Sequence, residues 1–304
     1  MKRQKGLYCK SNIQLFTMCI PALVKIIVFS YIPMIWIYMA FVDYKPNKGA
    51  FDSPFIGLKN FNFFFKSLDF SIIFGNTIRY NLLFLFVGTL FSLLLAILLY
   101  EILNKAALKV FQTAFFLPYF ISWILVSYIV QAFIDSNGMV TALVENMVGR
   151  DVNMYTELKP WPAILVIVNT WKGAGVSAIV YYATLLNCDM SLFEAAQIDG
   201  ANKMQKIWFI TLPYLRPMVV VNVIMSGANI LRSDLGLFMF VPKDSASLRP
   251  ATDVIDYYIW RTVRETGNFE IGTAVGLVQG LIGLVLTIIV NKVVNKVEPG
   301  AALY

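Results

Sequence analysis

Three polar side chains repeat at helical spacing inside an apolar stretch of the chain. Asn222, Ser226 and Asn229 occupy positions i, i+4 and i+7, so a helix places them on one face. Polar groups inside a membrane are costly, and they usually face the interior of a helix bundle or a wet cavity. The stripe therefore serves either hydrogen bonds between helices or a path for a polar solute.

A second polar group lies in the preceding apolar stretch. Asn169, Lys172, Gly173 and Ser177 are close in sequence there, and Trp171 stands beside them. An indole in a membrane span generally packs against neighbouring helices or anchors the span at the interface. Trp171 lies deeper than an interfacial anchor, so it either packs in the bundle or offers a flat apolar face to a solute.

Residue types exclude most catalytic chemistry. The chain has no histidine, which removes imidazole catalysis and His-ligated metals, and Cys9, Cys19 and Cys188 are too scattered for a zinc site. It also lacks the G-x-x-x-x-G-K-[ST] phosphate loop, so the sequence shows no P-loop nucleotide site. We expect no catalytic residue, metal or cofactor in this chain. An ion-coupled carrier or membrane enzyme is the least favoured function, because the acidic residues lie in loops or at the ends of apolar stretches.

Composition places these residues in a membrane. Hydrophobic residues make up 58% of the chain, charged residues only 14%, and the mean hydropathy is +0.68. A helix crosses the hydrocarbon core with roughly 20 apolar residues, and the apolar stretches lack the alternation of barrel strands. The sequence predicts an all-α integral membrane protein with a single transmembrane domain over residues 1–304 and six spans, at approximately 15–42, 75–102, 110–134, 161–186, 214–232 and 270–291.

Orientation follows from the distribution of Lys and Arg. An even number of spans places both termini on one side of the membrane, and that side carries the basic N-terminal tail and the shorter, more basic loops. Basic residues gather in cytoplasmic loops. Both termini and the loop at 187–213, between spans 4 and 5, are therefore predicted to be cytoplasmic.

The loop at 187–213 has its own start and stop signals. Ser191 followed by Glu194 fits a capping box that opens a short helix. Asp199 and Gly200 should end that helix, since glycine adopts the left-handed conformation found after helix ends. Pro213 marks the start of the next span. The loop is predicted to fold as helix, turn and helix.

The spacing in this loop resembles the EAA loop of binding-protein-dependent ABC import permeases, which docks the membrane subunit into a cleft of the ATPase. The residues that carry the resemblance are Glu194, Ala195, Ala196, Asp199, Gly200 and Ala201. Segments 29–34, 116–123 and 251–256 resemble carbohydrate permeases of the aldouronate type from Gram-positive bacteria. The resemblance implies the permease of an ATP-driven importer for oligosaccharides or polysaccharides in the plasma membrane, with these loop residues coupling it to the ATPase.

The resemblance also implies the partners and the transport path. A second homologous permease subunit pairs with the chain, a pair of cytoplasmic ABC ATPase subunits binds ATP and Mg, and a lipid-tethered extracellular solute-binding protein delivers the sugar. Sugar then crosses by alternating access. The path residues expected in this chain are Asn222, Ser226, Asn229, Asn169, Trp171 and Lys172.

An alternative solute is an acidic sugar or glycerol phosphate. Arg79, Lys172 and Arg232 are the cations that would suit such an anion. The favoured alternative is that they pair with Asp234 or Glu270, or extend toward the membrane surface. The sequence leaves these alternatives open.

Overall fold

The structure, a computed structural model, describes residues 10–297. The basic tail at 1–9, which includes Cys9 and supports the predicted orientation, lies outside the described residues. Residues 10–297 form fourteen α-helices in succession. They are α1 (Lys10–Ile26), α2 (Lys59–Lys66), α3 (Asp69–Tyr100), α4 (Lys105–Phe120), α5 (Trp123–Ile134), α6 (Met139–Val148), α7 (Trp161–Leu185), α8 (Met190–Ile198), α9 (Lys203–Lys206), α10 (Leu212–Ala228), α11 (Leu235–Phe240), α12 (Arg249–Thr252), α13 (Ile255–Thr266) and α14 (Phe269–Val297).

The predicted fold class is confirmed within the described residues. They are helical apart from loops and two isolated β-bridges, and six helical segments are long and apolar enough to cross a membrane. The segments are Leu15–Phe41, Asp69–Tyr100, Trp123–Val148, Trp161–Leu185, Lys203–Ala228 and Phe269–Lys296. The first changes helix type along its length, with a π-helical turn over Ile27–Tyr31 and a 3₁₀ stretch over Ile32–Phe41.

The third span differs from its prediction, because the chain breaks inside it. Pro118 lies in the last turn of α4, and Ile121 and Ser122 are extended. The Ser122 hydroxyl then accepts a hydrogen bond from the backbone N–H of Leu125 and caps the start of α5. An apolar run that the sequence shows as continuous is therefore a pair of helices.

Two compact units make up the chain. The first runs through Phe65 and includes Thr262–Leu277. Within it, the Asn60 side chain of α2 is buried and donates to the carbonyls of Ala40 and Val42, each at 3.0 Å. This amide holds α2 against the end of the first span.

The second unit contains Lys66–Arg261 and the chain from Val278 onward, and α3 and α7 form its centre. Ala96 on α3 and Ala178 on α7 are completely buried, and the Ser92 hydroxyl donates to the carbonyl of Ala174 at 3.2 Å. Small residues let two helix backbones approach closely, which drives helix association in lipid. A cluster of larger buried side chains packs near the start of α7, around Trp161, which has no exposed area.

The contact between α7 and α4 depends on one glycine. A Cβ atom added at Gly175 would stand 1.9 Å from the carbonyl oxygen of Phe115, which is backbone and cannot swing aside. The position therefore accepts only glycine while the two helices keep this distance.

We predict that Gly175→Ala destabilises the protein by about 1–3 kcal/mol, because the helices must separate to admit the methyl group. Thermal unfolding in detergent would measure the loss. Gly75→Ala is the matched control, since Gly75 lies in α3 and a Cβ there meets nothing within 4 Å. Alanine favours helix over glycine, so the control should be neutral or slightly stabilising. Equal melting temperatures for the two variants would contradict the assignment of Gly175 to a close contact.

Candidate functional site

One cavity of the second unit collects polar side chains from three helices. It measures about 290 Å³ and lies between α3, α7, α10 and the turn that follows α10. Phe84 and Leu85 contribute apolar wall. The polar lining comes from Asn81, Thr89, Ser92, Asn169, Thr170, Ser177, Asn222, Ser226, Asn229 and Arg232.

The structure brings together most of the predicted path residues. Asn222 and Ser226 line the cavity from α10, Asn229 lines it from the C-cap of that helix, and Asn169 lines it from α7. The two polar patches that the sequence shows separately are thus opposite walls of one space.

The contribution of α3 is the part that sequence reasoning missed. Asn81, Thr89 and Ser92 line the cavity from this helix, and their spacing of i, i+8 and i+11 puts them on one helical face. That spacing was the available signal. It is easily overlooked, because the three residues are dispersed through a long apolar helix.

The side-chain amides of the cavity already make some hydrogen bonds within the protein. Asn222 Nδ2 donates to the Tyr181 hydroxyl at 2.7 Å, and Asn229 Nδ2 donates to the carbonyl of Met225 at 2.9 Å. Each bond uses a donor of the amide and leaves its Oδ1 acceptor for other partners. Asn222 therefore joins α10 to α7 and also lines the cavity.

Lys172 and Trp171 do not line this cavity. The Lys172 ammonium donates to the carbonyls of Pro118, Tyr119 and Ile121 at 3.2, 2.8 and 2.5 Å. The Pro118 carbonyl also accepts from the backbone N–H of Ile121 at 3.2 Å. The lysine adds donors where α4 ends and thus caps a helix C-terminus. Trp171 is 42% exposed. The path role of these two residues stays a prediction.

The first helix of the 187–213 loop begins earlier than predicted. Asp189, not Ser191, is the N-cap of α8, and its Oδ1 accepts from the backbone N–H of Ser191 at 2.9 Å. This hydrogen bond lowers the pKa of the Asp189 carboxyl. A capping box does occur in the loop, but it joins Asn202 and Gln205 at the start of α9. The predicted capping box at Ser191 was therefore wrong.

The end of α8 is as predicted. Gly200 has φ +77°, the left-handed conformation, and Asp199 is the C-cap. The Ala201 N–H donates to the carbonyl of Ala196 at 2.8 Å and the Gly200 N–H to that of Gln197 at 3.1 Å. This pair of bonds is a Schellman motif. It turns the chain sharply into α9.

One face of α8 is exposed. Glu194, Ala195 and Gln197 are open to solvent, and the Ile198 side chain is 86% exposed. Ile198 thus offers an apolar contact on an exposed helix with capped ends.

Phe193 and Met190 connect α8 to the end of α3. The rings of Tyr100 and Phe193 lie 5.9 Å apart, and the Tyr100 hydroxyl donates to Sδ of Met190 at 3.4 Å. Glu101 and Lys203 add an exposed ion pair at 3.4 Å. Since α3 also lines the cavity, one continuous helix connects the cavity to the exposed loop.

Comparison with known protein families places most of the chain in one of them. Residues 88–301 match the family described as the binding-protein-dependent transport system inner membrane component. Protein LplB of Bacillus subtilis is 30% identical over 278 residues, covering 91% of this chain and 84% of LplB. The polygalacturonan/rhamnogalacturonan transport system permease protein YteP of the same species is 30% identical over 264 residues, covering 86% of this chain and 82% of YteP.

Solved structures of bacterial ABC transporters are also similar to this chain. A chain of a bacterial ABC transporter involved in the import of the acidic polysaccharide alginate matches with a TM-score of 0.84 and 29% identity, covering 95% of this chain and 97% of that one. A second structure of a bacterial alginate ABC transporter, in complex with its alginate pentasaccharide-bound periplasmic protein, matches with a TM-score of 0.83 and 30% identity, covering 95% and 96% of the two chains.

We predict that Tyr100→Ala loosens α8, because it removes the ring that holds this helix to α3. An aromatic pair contributes about 0.5–1.5 kcal/mol, so amide hydrogen exchange in Met190–Ile198 should accelerate about twofold to tenfold. Tyr100→Phe keeps the ring and should change exchange less. Leu103→Ala alters a neighbouring side chain that is 95% exposed and is the control. If α8 exchanged at the wild-type rate in Tyr100→Ala, the anchoring role would be refuted.

Proposed function

Because the chain belongs to the family of binding-protein-dependent transport system inner membrane components, we propose that it is the membrane-spanning permease subunit of an ATP-driven importer for oligosaccharides. It is a multi-pass protein of the plasma membrane and a transport subunit rather than an enzyme. The proposal concerns what it carries, which residues touch the solute, and how the chain is coupled to ATP hydrolysis.

The polar cavity is the observation that carries the substrate proposal. Sugars present many hydroxyl groups, and each must exchange its bonds with water for bonds in the path, since an unsatisfied buried polar group costs about 1–3 kcal/mol. Asn169, Asn222, Ser226 and Asn229 provide amides and a hydroxyl in one space inside an apolar bundle. The names of YteP and of the alginate transporter, which refer to polysaccharides, support the same class of solute.

The exposed face of α8 supports the coupling proposal. Docking into a cleft of an ATPase needs a rigid helix with an apolar contact surrounded by polar ones, which Ile198 and Glu194 supply. The loop residues proposed to make this contact are Glu194, Ala195, Ala196, Asp199, Gly200 and Ala201. In this proposal a pair of cytoplasmic ABC ATPase subunits binds ATP and Mg, and the chain itself binds neither.

Two further partners complete the importer. Family membership implies a solute-binding protein, and the similar alginate transporter was solved in complex with one. A second homologous permease would close the open side of the cavity. Closure of the ATPase pair would move α8, and the Tyr100 contact would pass that movement to α3 and so to the cavity wall. This is alternating access with α3 as the mechanical link.

We predict that Glu194→Lys abolishes uptake without preventing membrane insertion, because Glu194 is exposed in the loop. Losing or reversing a charge at a protein interface typically costs about 2 kcal/mol or more, or roughly thirtyfold in affinity. Uptake and binding-protein-stimulated ATPase would be measured with the complete complex in proteoliposomes. Asp151→Lys reverses an exposed charge in a different loop and is the matched control. Wild-type stimulation and uptake in Glu194→Lys would remove α8 from the ATPase interface.

A second experiment tests the orientation that ATPase docking requires. In a variant without native cysteines, Lys203→Cys should react with an impermeant thiol reagent only after the membrane is permeabilised, whereas Ser247→Cys should react in intact cells. Both positions are exposed, so burial does not explain a missing signal. Labelling of Lys203→Cys from outside the cell would overturn both the orientation and the docking role.

A further inference from the structure

The cavity has one ionisable group in its lining, and that group is positive. Arg232 lines it together with fourteen uncharged residues, and no carboxylate is among them. The guanidinium carries its charge at every physiological pH. Residues 10–297 therefore give the cavity wall a net charge of +1.

The nearby acids of the sequence are engaged with other donors. Asp234 accepts from the Trp123 indole N–H at 2.7 Å with Oδ2 and from the Gly236 N–H at 2.9 Å with Oδ1. Asp256 accepts through Oδ2 from the Ser233 N–H at 2.6 Å and from the Gln279 amide at 3.1 Å. Arg232 makes no ion pair within residues 10–297, so the expected pairing with Asp234 does not occur in this part of the chain.

The position of Arg232 is fixed by the fold. Its backbone N–H donates to the carbonyl of Asn229 at 2.8 Å, which closes the turn after α10. The Asn81 amide of α3 donates to the carbonyl of Ile230 at 2.9 Å and contacts the Ser233 hydroxyl at 3.3 Å. Arg232 thus lies at the Asn81 end of the cavity. Ser92 lies on α3 with Asn81. It is about 16 Å further along the axis of α3 than Asn81, because an α-helix rises about 1.5 Å per residue.

The other two cations considered from the sequence are located elsewhere. Lys172 is occupied by the carbonyls at the end of α4. Arg79 and Arg232 are both exposed, but only Arg232 lines the cavity. The charge of the cavity therefore comes from a single side chain whose five N–H donors are free of acidic partners within the described residues.

The geometry points to an anionic saccharide as the solute, with Arg232 binding a sugar carboxylate at the end of the cavity while the Asn and Ser side chains bind its hydroxyls. This inference rests on the proposed importer function and deepens it. A guanidinium matches a carboxylate with two parallel hydrogen bonds. It binds a phosphate equally well, so the experiment must separate a uronic acid from a glycerol phosphate.

The test uses the complete importer with its binding protein in proteoliposomes. Trigalacturonate is the charged probe, and its methyl ester is the neutral probe with the same sugar skeleton. Hydrogen bonds to charged groups are strong, so Arg232→Gln should lower trigalacturonate uptake roughly tenfold to hundredfold. Binding-protein-stimulated ATPase activity should persist, because the substitution does not alter the surfaces that dock the binding protein and the ATPase. Arg232→Lys, which keeps the charge but loses the planar fork, should fall between Arg232→Gln and wild type.

Arg79→Gln is the matched control, since it removes the same charge from α3 outside the cavity and should leave uptake unchanged. If the wild type takes up the methyl ester or another neutral oligosaccharide and Arg232→Gln does not change uptake, the anionic subsite is overturned. The importer function would still stand. An assembled importer that takes up neither probe nor any neutral oligosaccharide would instead overturn the proposed function. Competition by glycerol phosphate that matches trigalacturonate would overturn the carboxylate assignment.

Discussion

The contact between α3 and α7 is the interaction on which the rest of the second unit depends. Lipid offers no hydrophobic drive for helices to associate, so the contact relies on close approach of small residues, and Ala96 and Ala178 are buried completely at this interface. The same two helices carry two walls of the cavity, and α7 also holds α4 through Gly175. A change in the α3–α7 distance would therefore alter both the shape of the cavity and the break between α4 and α5.

The break between α4 and α5 shows how the membrane constrains irregular backbone. Carbonyls at such a break cannot be left facing hydrocarbon, and Lys172 donates from α7 to those of Pro118, Tyr119 and Ile121. Stacking over the Trp123 ring, 5.1 Å away, holds the ammonium in place. A lysine that looks like a substrate contact in the sequence thus has a structural task, and only three-dimensional proximity reveals it.

The sequence predicts what depends on spacing along one segment. Six spans follow from apolar length, the α10 stripe from helical period, and the end of α8 from Gly200, whose φ of +77° disfavours any other residue. Prediction from sequence fails where two neighbouring residues could both cap a helix, or where interacting residues are far apart in the sequence. Asp189 and Ser191 are both good N-caps, and the carboxylate prevails. The isolation of Arg232 depends on Asp234 and Asp256 being engaged by distant side chains, which no local pattern contains.

The position of α3 gives the cavity and the loop a common mechanical element. Asn81, at the Arg232 end, and Tyr100, under α8, are separated by about 28 Å of continuous helix at 1.5 Å per residue, close to the roughly 30 Å of a bilayer core. A helix of this length without proline in its interior is stiff. Displacing its Tyr100 end therefore moves the whole polar face that Asn81, Thr89 and Ser92 present to the cavity. A movement of the loop outside the hydrocarbon can then change the cavity within it, with no flexible segment between them.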